Sequence, residues 1–398
     1  MPSTTRLQRT SALPRVFYVS YDGIGEPLGR SQVLGYLFRL ARHYPITLIS
    51  FEKTPPSDDL RTELAGHGIE WRPLRYHRRP PVVSTALDIQ TGRRALVHAA
   101  RSGAPAIVHV RSYVPALMAL LASRRTGGKL LFDIRGFWAD ERVEGGLWRA
   151  GGLLYRIAKR CERRLFRRAD AIVTLTHASV PQIQAWTYGR DVPIRVIPTC
   201  VDLTRFVKRP ARPGGPHAVW SGSIGTWYRF DLSARISAAL GLPLTVITRQ
   251  EELAREVLDG YPATVRSVPP DDVPAQLFAC DLGLCLIFSS FSKIASAPTR
   301  LAEYLACGMP VLVTSGVGDL EGIVLEHGVG VVLSSDDDEA IDRAAAQLRA
   351  LAADDAIQQR CRSVARSLFD VDAGSAQYDA LYRELLAEAT PRRRLAPR

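Results

Sequence analysis

Several signatures are missing from this 398-residue chain, and each absence narrows what it can be. No apolar run approaches the roughly 18–20 residues needed to cross a bilayer as a helix. The first residues, 1–14, lack the apolar core of a secretory signal and read as a disordered lead-in. The six cysteines, at 161, 200, 280, 285, 307 and 361, form no Cys-x-x-Cys pair, which points to buried thiols in a reducing cytosol. The eight histidines show no metal-ligand spacing, so no metal is expected. There is no Gly-x-Ser-x-Gly elbow and no Walker lysine loop. The first strand is not followed by Gly-x-Gly-x-x-Gly, which disfavours a dinucleotide cofactor. The acidic run Asp336–Asp338 reads as the start of a helix, where carboxylates are favoured.

Charge is present in excess and unevenly. The net charge is +12, but residues 1–200 hold 31 Lys+Arg against 15 Asp+Glu, and residues 201–398 hold 21 against 25. The first half should therefore meet an anionic partner: a phospholipid surface, a lipid diphosphate or nucleic acid.

Short apolar runs alternate with segments of helical period along the whole chain. Strands are expected at Val16–Tyr21, Ile46–Glu52, Ile69–Leu74, Ala106–Val110, Leu130–Ile134, Ala171–Leu175 and Ile194–Ile197. The pattern restarts with Ala218–Gly222, Leu244–Thr248, Thr264–Val268, Leu282–Ile287, Val311–Thr314 and Val329–Leu333. A helix is expected at Ser31–His43, and a long helical stretch runs up to about Ala169. The fold class is α/β, with two Rossmann-like doubly wound domains facing across a cleft. The divisions expected are a first domain at 15–199, a Pro/Arg/Gly-rich linker at 200–216 and a second domain at 217–375. A C-terminal helix at 376–390, returning to the first domain, and a basic tail at 391–398 follow.

Open parallel sheets bind ligands beyond the carboxyl ends of their strands, and the notable turns sit there. In Pro298-Thr-Arg-Leu-Ala-Glu-Tyr-Leu-Ala-Cys-Gly308, Pro298 and Thr299 open a helix whose N–H groups suit phosphate. Arg300 adds a cation, and Glu303, one turn in, suits a ribose diol; an ordinary α/β crossover remains the alternative. In Trp220-Ser-Gly-Ser-Ile-Gly-Thr-Trp-Tyr, Gly222, Ser223 and Gly225 expose N–H groups for a diphosphate. Lys293 and Arg249 are further candidate cations. On the first half, Gly25 and Gly29 permit close approach of a ligand, and Ser31 can cap the next helix. Arg135, at a strand end, can fork onto phosphate or sugar oxygens. Glu141 can take a sugar hydroxyl, or Asp133, Arg135 and Glu141 form an internal ion pair. His77 and Arg78, in a basic aromatic loop, suit an anionic acceptor headgroup or are simply solvated. Leu154–Ala169 aligns Leu154, Ile157, Ala158, Cys161, Leu165 and Ala169 on one face. That stripe is expected to pack on the sheet and leave only a cationic face for an anionic membrane.

Taken together, the stretches YVSYDGIGEPLGRSQVLGYL, FDIRGFWADERV, IPTCVDLTRF, GSIGTWY and PTRLAEYLACGMPVLVT resemble family-4 glycosyltransferases of the GT-B fold, and most of all those of bacterial cell-surface polysaccharide synthesis. The resemblance implies retaining transfer of a sugar from a nucleotide-sugar to a saccharide or lipid-linked acceptor, without a bound metal or other cofactor and without nucleic acid. The implied setting is the cytoplasm, at the inner face of the plasma membrane. The family's paired glutamates place the second at Glu303 and the first at Ala295, so one carboxylate is missing. Ser223 stands where an arginine is usual, with compensation expected from Arg249, Lys293 and Arg300. Arg135 occupies the place of a usual histidine. The catalytic set expected is Arg135, Lys293 and Arg300. The rivals are a degenerate GT-B scaffold and a sugar-nucleotide epimerase.

Overall fold

The computed structural model describes residues 13–207 and 216–388. The lead-in up to residue 12, the middle of the linker at 208–215 and the tail from 389 lie outside the described residues. The first sheet holds β1 (Val16–Ser20), β2 (Ile46–Glu52), β3 (Ile69–Arg75), β4 (Ile107–Arg111), β5 (Lys129–Asp133), β6 (Ala171–Thr174) and β7 (Ile194–Val196). The second holds β8 (Ala218–Ser221), β9 (Leu244–Ile247), β10 (Ala263–Arg266), β11 (Leu282–Cys285), β12 (Val311–Thr314) and β13 (Gly330–Leu333). Strand orders are β3-β2-β1-β4-β5-β6-β7 and β10-β9-β8-β11-β12-β13. Every pairing is parallel. Each sheet is thus doubly wound, and β1, β2 and β4 are buried at every position because helices cover both faces.

Local structure departs from the sequence pattern in places that matter. The first helix begins at Pro27 rather than Ser31 and runs through a π-turn, Arg30–Leu34, to Leu40. Proline suits that first position. The long helical stretch is broken at 145–152, where Gly146 and Gly151 adopt φ of 72° and 67°. It becomes two helices, Trp138–Glu144 and Leu153–Phe166. The C-terminal helix starts at Val371. Its Tyr378, Leu381, Tyr382 and Leu385 are buried in the first lobe's core with Tyr18, Leu37 and Leu48. The Tyr382 hydroxyl sits 2.7 Å from His109 Nδ1. The chain crosses between lobes beside this helix, where Val201 N–H donates to Phe369 O and Val371 N–H to Val201 O.

In the second lobe the helix Thr299–Cys307 packs so closely that β11 must carry glycine beneath it. A Cβ on Gly283 would lie 2.2 Å from the Tyr304 ring. The Tyr304 hydroxyl in turn accepts the Ser221 N–H at 2.8 Å, fixing the helix against the end of β8. Gly283→Ala should therefore cost about 3 kcal/mol by overpacking, read from urea unfolding. Gly66→Ala, with open space around its Cβ, should lose none of the stability.

Candidate functional site

Strand order reverses between β1 and β4 in the first sheet and between β8 and β11 in the second. The carboxyl edges at both points open onto one cleft of about 650 Å³ between the lobes. Its charged lining comprises Arg111, Arg135, Arg142, Lys293 and Arg300 against Asp22, Glu141 and Glu303, an excess of cations suited to an anionic ligand.

The second lobe contributes the start of the Thr299–Cys307 helix, whose N-cap is Pro298 and which no side chain caps. Its free N–H groups carry the positive end of the helix dipole. Arg300 is 6 % exposed and lies 4.5 Å from the ring centroids of both Trp220 and Tyr228. Its Nη1 is buried and has no hydrogen-bond partner. The guanidinium fits because position 222 has no side chain: a Cβ there would stand 2.7 Å from Arg300 Nη2, and Gly222 has φ of 112°. Glu303, one turn on, is half-buried at the cleft wall. Burial pushes its carboxyl above the usual glutamate range, and the charges of Arg300 and Arg205 only partly offset this.

Lys293 is buried, and its Nζ lies 3.9 Å from the Trp227 ring centroid and 2.6 Å from Glu141 Oε1 of the opposite lobe. Ala295, where the resemblance in sequence places a first glutamate, is fully buried in the first lobe's apolar core. It does not line the cleft.

The first lobe contributes a polar network. Arg111, 3 % exposed at the end of β4, donates to Asp22 Oδ2 at 3.2 Å and to Gln32 Oε1 at 2.7 Å. Gln32 Nε2 then donates across the cleft to Thr299 Oγ1 at 2.6 Å. Arg135 donates to Asp133 Oδ1 at 3.5 Å and to Gln32 Oε1 at 3.4 Å, and its buried Nε has no partner. Burial alone would raise the Asp133 carboxyl; Arg135 and then His109 hold it below the usual range. Arg135 is therefore partly an internal ion pair and partly a cleft residue. Glu141 takes no part in that pair, because Lys293 holds it.

Of the residues expected from sequence, Arg135, Lys293, Arg300, Glu303, Gly222, Ser223, Pro298, Thr299 and Glu141 line the cleft. The others do not. Gly25 N–H is turned to the Glu52 carboxylate at 3.3 Å, with Ile24 N–H beside it at 3.0 Å. Gly29 serves packing, since a Cβ there would lie 2.1 Å from Gly23 O. Ser31 is no helix cap: it lies inside the helix and its Oγ donates to Pro27 O. His77 is drawn to Asp88, 2.5 Å from Nδ1 to Oδ1, and Arg78 is exposed in the loop beside it. Gly225 and Arg249 are exposed outside the cleft wall. The cradle of N–H groups is also smaller than expected, because Gly222 N–H is spent on Ile247 O at 2.9 Å. Asp337 does start a helix, accepting from Ala340 N–H. Among the described residues no three His, Cys, Asp or Glu side chains cluster to hold a metal ion.

Arg111, Asp22, Gln32, Trp227 and Tyr228 also line the cleft and were not among the residues expected there. Arg111 sits at the carboxyl end of a buried strand, the same signal that singled out Arg135. A second interlobe crevice, about 720 Å³, is walled by Leu301, Leu320, Ile323 and Phe369 and contains no arginine or lysine. It lacks the charge that the first cleft has.

Residues 32–200 match the family model described as a glycosyl transferase 4-like domain. No curated protein matches the chain in sequence. Among solved structures, a glycosyltransferase from Rickettsia africae superposes with a TM-score of 0.70 at 15 % identity, covering 94 % of this chain and 99 % of that one. Sucrose-phosphate synthase from Thermosynechococcus elongatus gives 0.69 at 15 % identity, over 94 % and 100 %. Anabaena HepE in complex with UDP and glucose gives 0.63 at 14 % identity, over 93 % and 99 %. The chain thus has the GT-B fold of these structures, and its residues 32–200 match the glycosyl transferase 4-like domain.

Proposed function

We propose that the cleft binds a nucleotide-sugar and transfers its sugar to a hydroxyl of a saccharide or lipid-linked acceptor. The observation that carries this reading is the stacked Arg300, with an unpartnered Nη1 in a cation-rich cleft beside an uncapped helix start. A diphosphate satisfies both at once. Glu303 then faces the ribose, and Lys293 and Ser223 flank the bridging phosphate. The complex of HepE with UDP and glucose supports a nucleoside-diphosphate donor class.

In the proposed reaction the anomeric carbon–oxygen bond to the diphosphate breaks. The acceptor oxygen bonds on the same face, and its proton leaves with the phosphate, so configuration is retained. The work of the protein is electrostatic: Arg300, Lys293 and the helix N–H groups take up the charge of the leaving diphosphate without a metal or other cofactor. Arg111, Arg135 and Glu141 position the acceptor from the first lobe. The resemblance of the opening DGIGEPLG stretch to cell-surface polysaccharide enzymes supports that setting for the acceptor, at the cytoplasmic side of a membrane. No helix of the described residues is long and apolar enough to cross one.

Screening by thermal shift against UDP, GDP and their sugars should identify a stabilising donor. Arg300→Leu should weaken that nucleoside diphosphate about 30-fold, as expected for loss of charge-assisted hydrogen bonds, with the parent melting point kept within a few degrees. Glu303→Ala should weaken nucleoside diphosphate about tenfold while leaving inorganic pyrophosphate binding unchanged, and should cut transfer strongly; parental transfer kinetics in this variant would refute the site. Because burial raises the Glu303 carboxyl above its ordinary 4.5, its ionisation destabilises the fold above that pH. Ligand-free Glu303→Gln should thus melt above the parent at pH 7, and the difference should vanish as the pH falls below 4.5.

A further inference from the structure

The apolar stripe of the Leu153–Phe166 helix is buried only in its C-terminal part: Leu165 and Ala169 are buried and Ala158 and Cys161 half-buried, whereas Leu154 and Ile157 are exposed. Polar anchors hold the first turns. Lys159 Nζ bonds Asp140 Oδ2 at 3.0 Å, pairs with the buried Glu162 and lies 4.1 Å from the Trp186 ring centroid. Tyr155 OH donates to Asp140 Oδ1 at 2.9 Å. With Tyr155, Lys159, Glu162 and Phe166 inward, the opposite face carries Leu153, Ile157, Arg160 and Arg164, with Leu154, Arg156 and Arg163 beside them. Leu153 is 66 % exposed and Ile157 45 %, and Leu147 in the preceding turn is 65 % exposed. The arginines of this face do not join the helix's ion pairs, which are those of Lys159 with Asp140 and with Glu162.

A second patch repeats the composition. Val82, Val83 and Leu87, each more than half exposed, open the helix Pro81–Arg101 just after Arg78 and Arg79. Both helices cover the same face of the first sheet, through Leu96 and Ala99 on one and Leu165 and Phe166 on the other. Both start at the carboxyl edge of that sheet, the edge that opens on the cleft.

We infer that this edge of the first lobe seats on an anionic lipid bilayer, with Leu147, Leu153, Leu154 and Ile157 entering the headgroup region and the surrounding arginines pairing with lipid phosphates. Aliphatic side chains ringed by arginines on one helix face fit a membrane interface, where apolar insertion and charge attraction act together. A nucleic acid would use the arginines and leave the aliphatic residues in water. The seating would present a lipid-linked acceptor at the mouth of the cleft; only that consequence rests on the proposed transfer reaction.

Flotation of the full chain with vesicles of phosphatidylcholine containing about one-third phosphatidylglycerol tests the surface. The parent should float with these and not with pure phosphatidylcholine. The pair Leu153→Ser and Ile157→Ser should bind about 100-fold more weakly, about tenfold for each aliphatic side chain withdrawn from the interface. The pair Arg160→Gln and Arg164→Gln should also bind more weakly and show a flatter salt dependence. Thermal shift with UDP, run on every protein, should be unchanged across these variants. Loss of vesicle binding with intact UDP binding supports the surface. Failure of the parent to float, or equal flotation of the serine pair, overturns it, as does duplex DNA binding that survives the serine pair in a protein that ignores vesicles. Absence of any nucleotide response in the parent would count against the transfer reading and leave the flotation result standing.

Discussion

A cation buried without a carboxylate bonded to it is the constraint around which the cleft is built. Arg300 is removed from water and packed against Trp220 and Tyr228, and one end of its guanidinium finds no partner in the protein. Desolvating a charge and leaving a donor unmatched are both costly, so such an arrangement persists where an anion completes it. The surrounding sequence serves that placement. Gly222 leaves the space, Gly283 lets Tyr304 settle against β11, and Tyr304 ties the helix to the end of β8. The raised carboxyl of Glu303 belongs to the same pattern of stability given up at a site.

The two lobes meet through side chains that belong to the site as much as to the interface. Gln32 joins Arg111 and Arg135 to Thr299 at the helix start, and Lys293 of one lobe holds Glu141 of the other. Glu144 accepts the Ser292 N–H, and Asp319 accepts the N–H groups of His177 and Ala178, so each lobe also grips a turn of the other. Charge and position are therefore coupled across the cleft. A diphosphate that drew Lys293 toward itself would loosen Glu141, freeing a carboxylate beside the acceptor side. Ala295 is packed away in the first lobe's core and takes no part in this coupling.

Much of the architecture was legible in the sequence. Thirteen short apolar strand runs separated by helical periods specify two parallel sheets, since hydrophobic pattern and length are local properties of the chain. Pro298, Arg300 and Glu303 were legible for the same reason, as one helix turn brings them together. What the sequence concealed depends on pairing at a distance. Arg111 acquires meaning only when β4 lies beside β1 and meets Asp22 and Gln32. Gly25, Gly29 and Ser31 looked like a ligand loop, yet Glu52, 27 residues beyond Gly25, claims the Gly25 N–H, and Gly29 is fixed by close contact with Gly23. His77 reads in sequence as an acceptor or a solvated residue, and in the fold it is held by Asp88. The apolar stripe of the Leu153–Phe166 helix packs on the sheet at Leu165 and Ala169, but the ion pairs of Lys159 with Asp140 and Glu162 hold its start so that Leu154 and Ile157 stay exposed.

The interlobe cleft, and Arg300 within it, should receive a nucleoside diphosphate. A crystal structure of the protein soaked with uridine or guanosine diphosphate tests it most directly. Phosphate oxygens should lie within hydrogen-bonding distance of Arg300 and of the first N–H groups of the Thr299–Cys307 helix, with the ribose toward Glu303. A diphosphate bound outside that cleft, with Arg300 untouched, would contradict it.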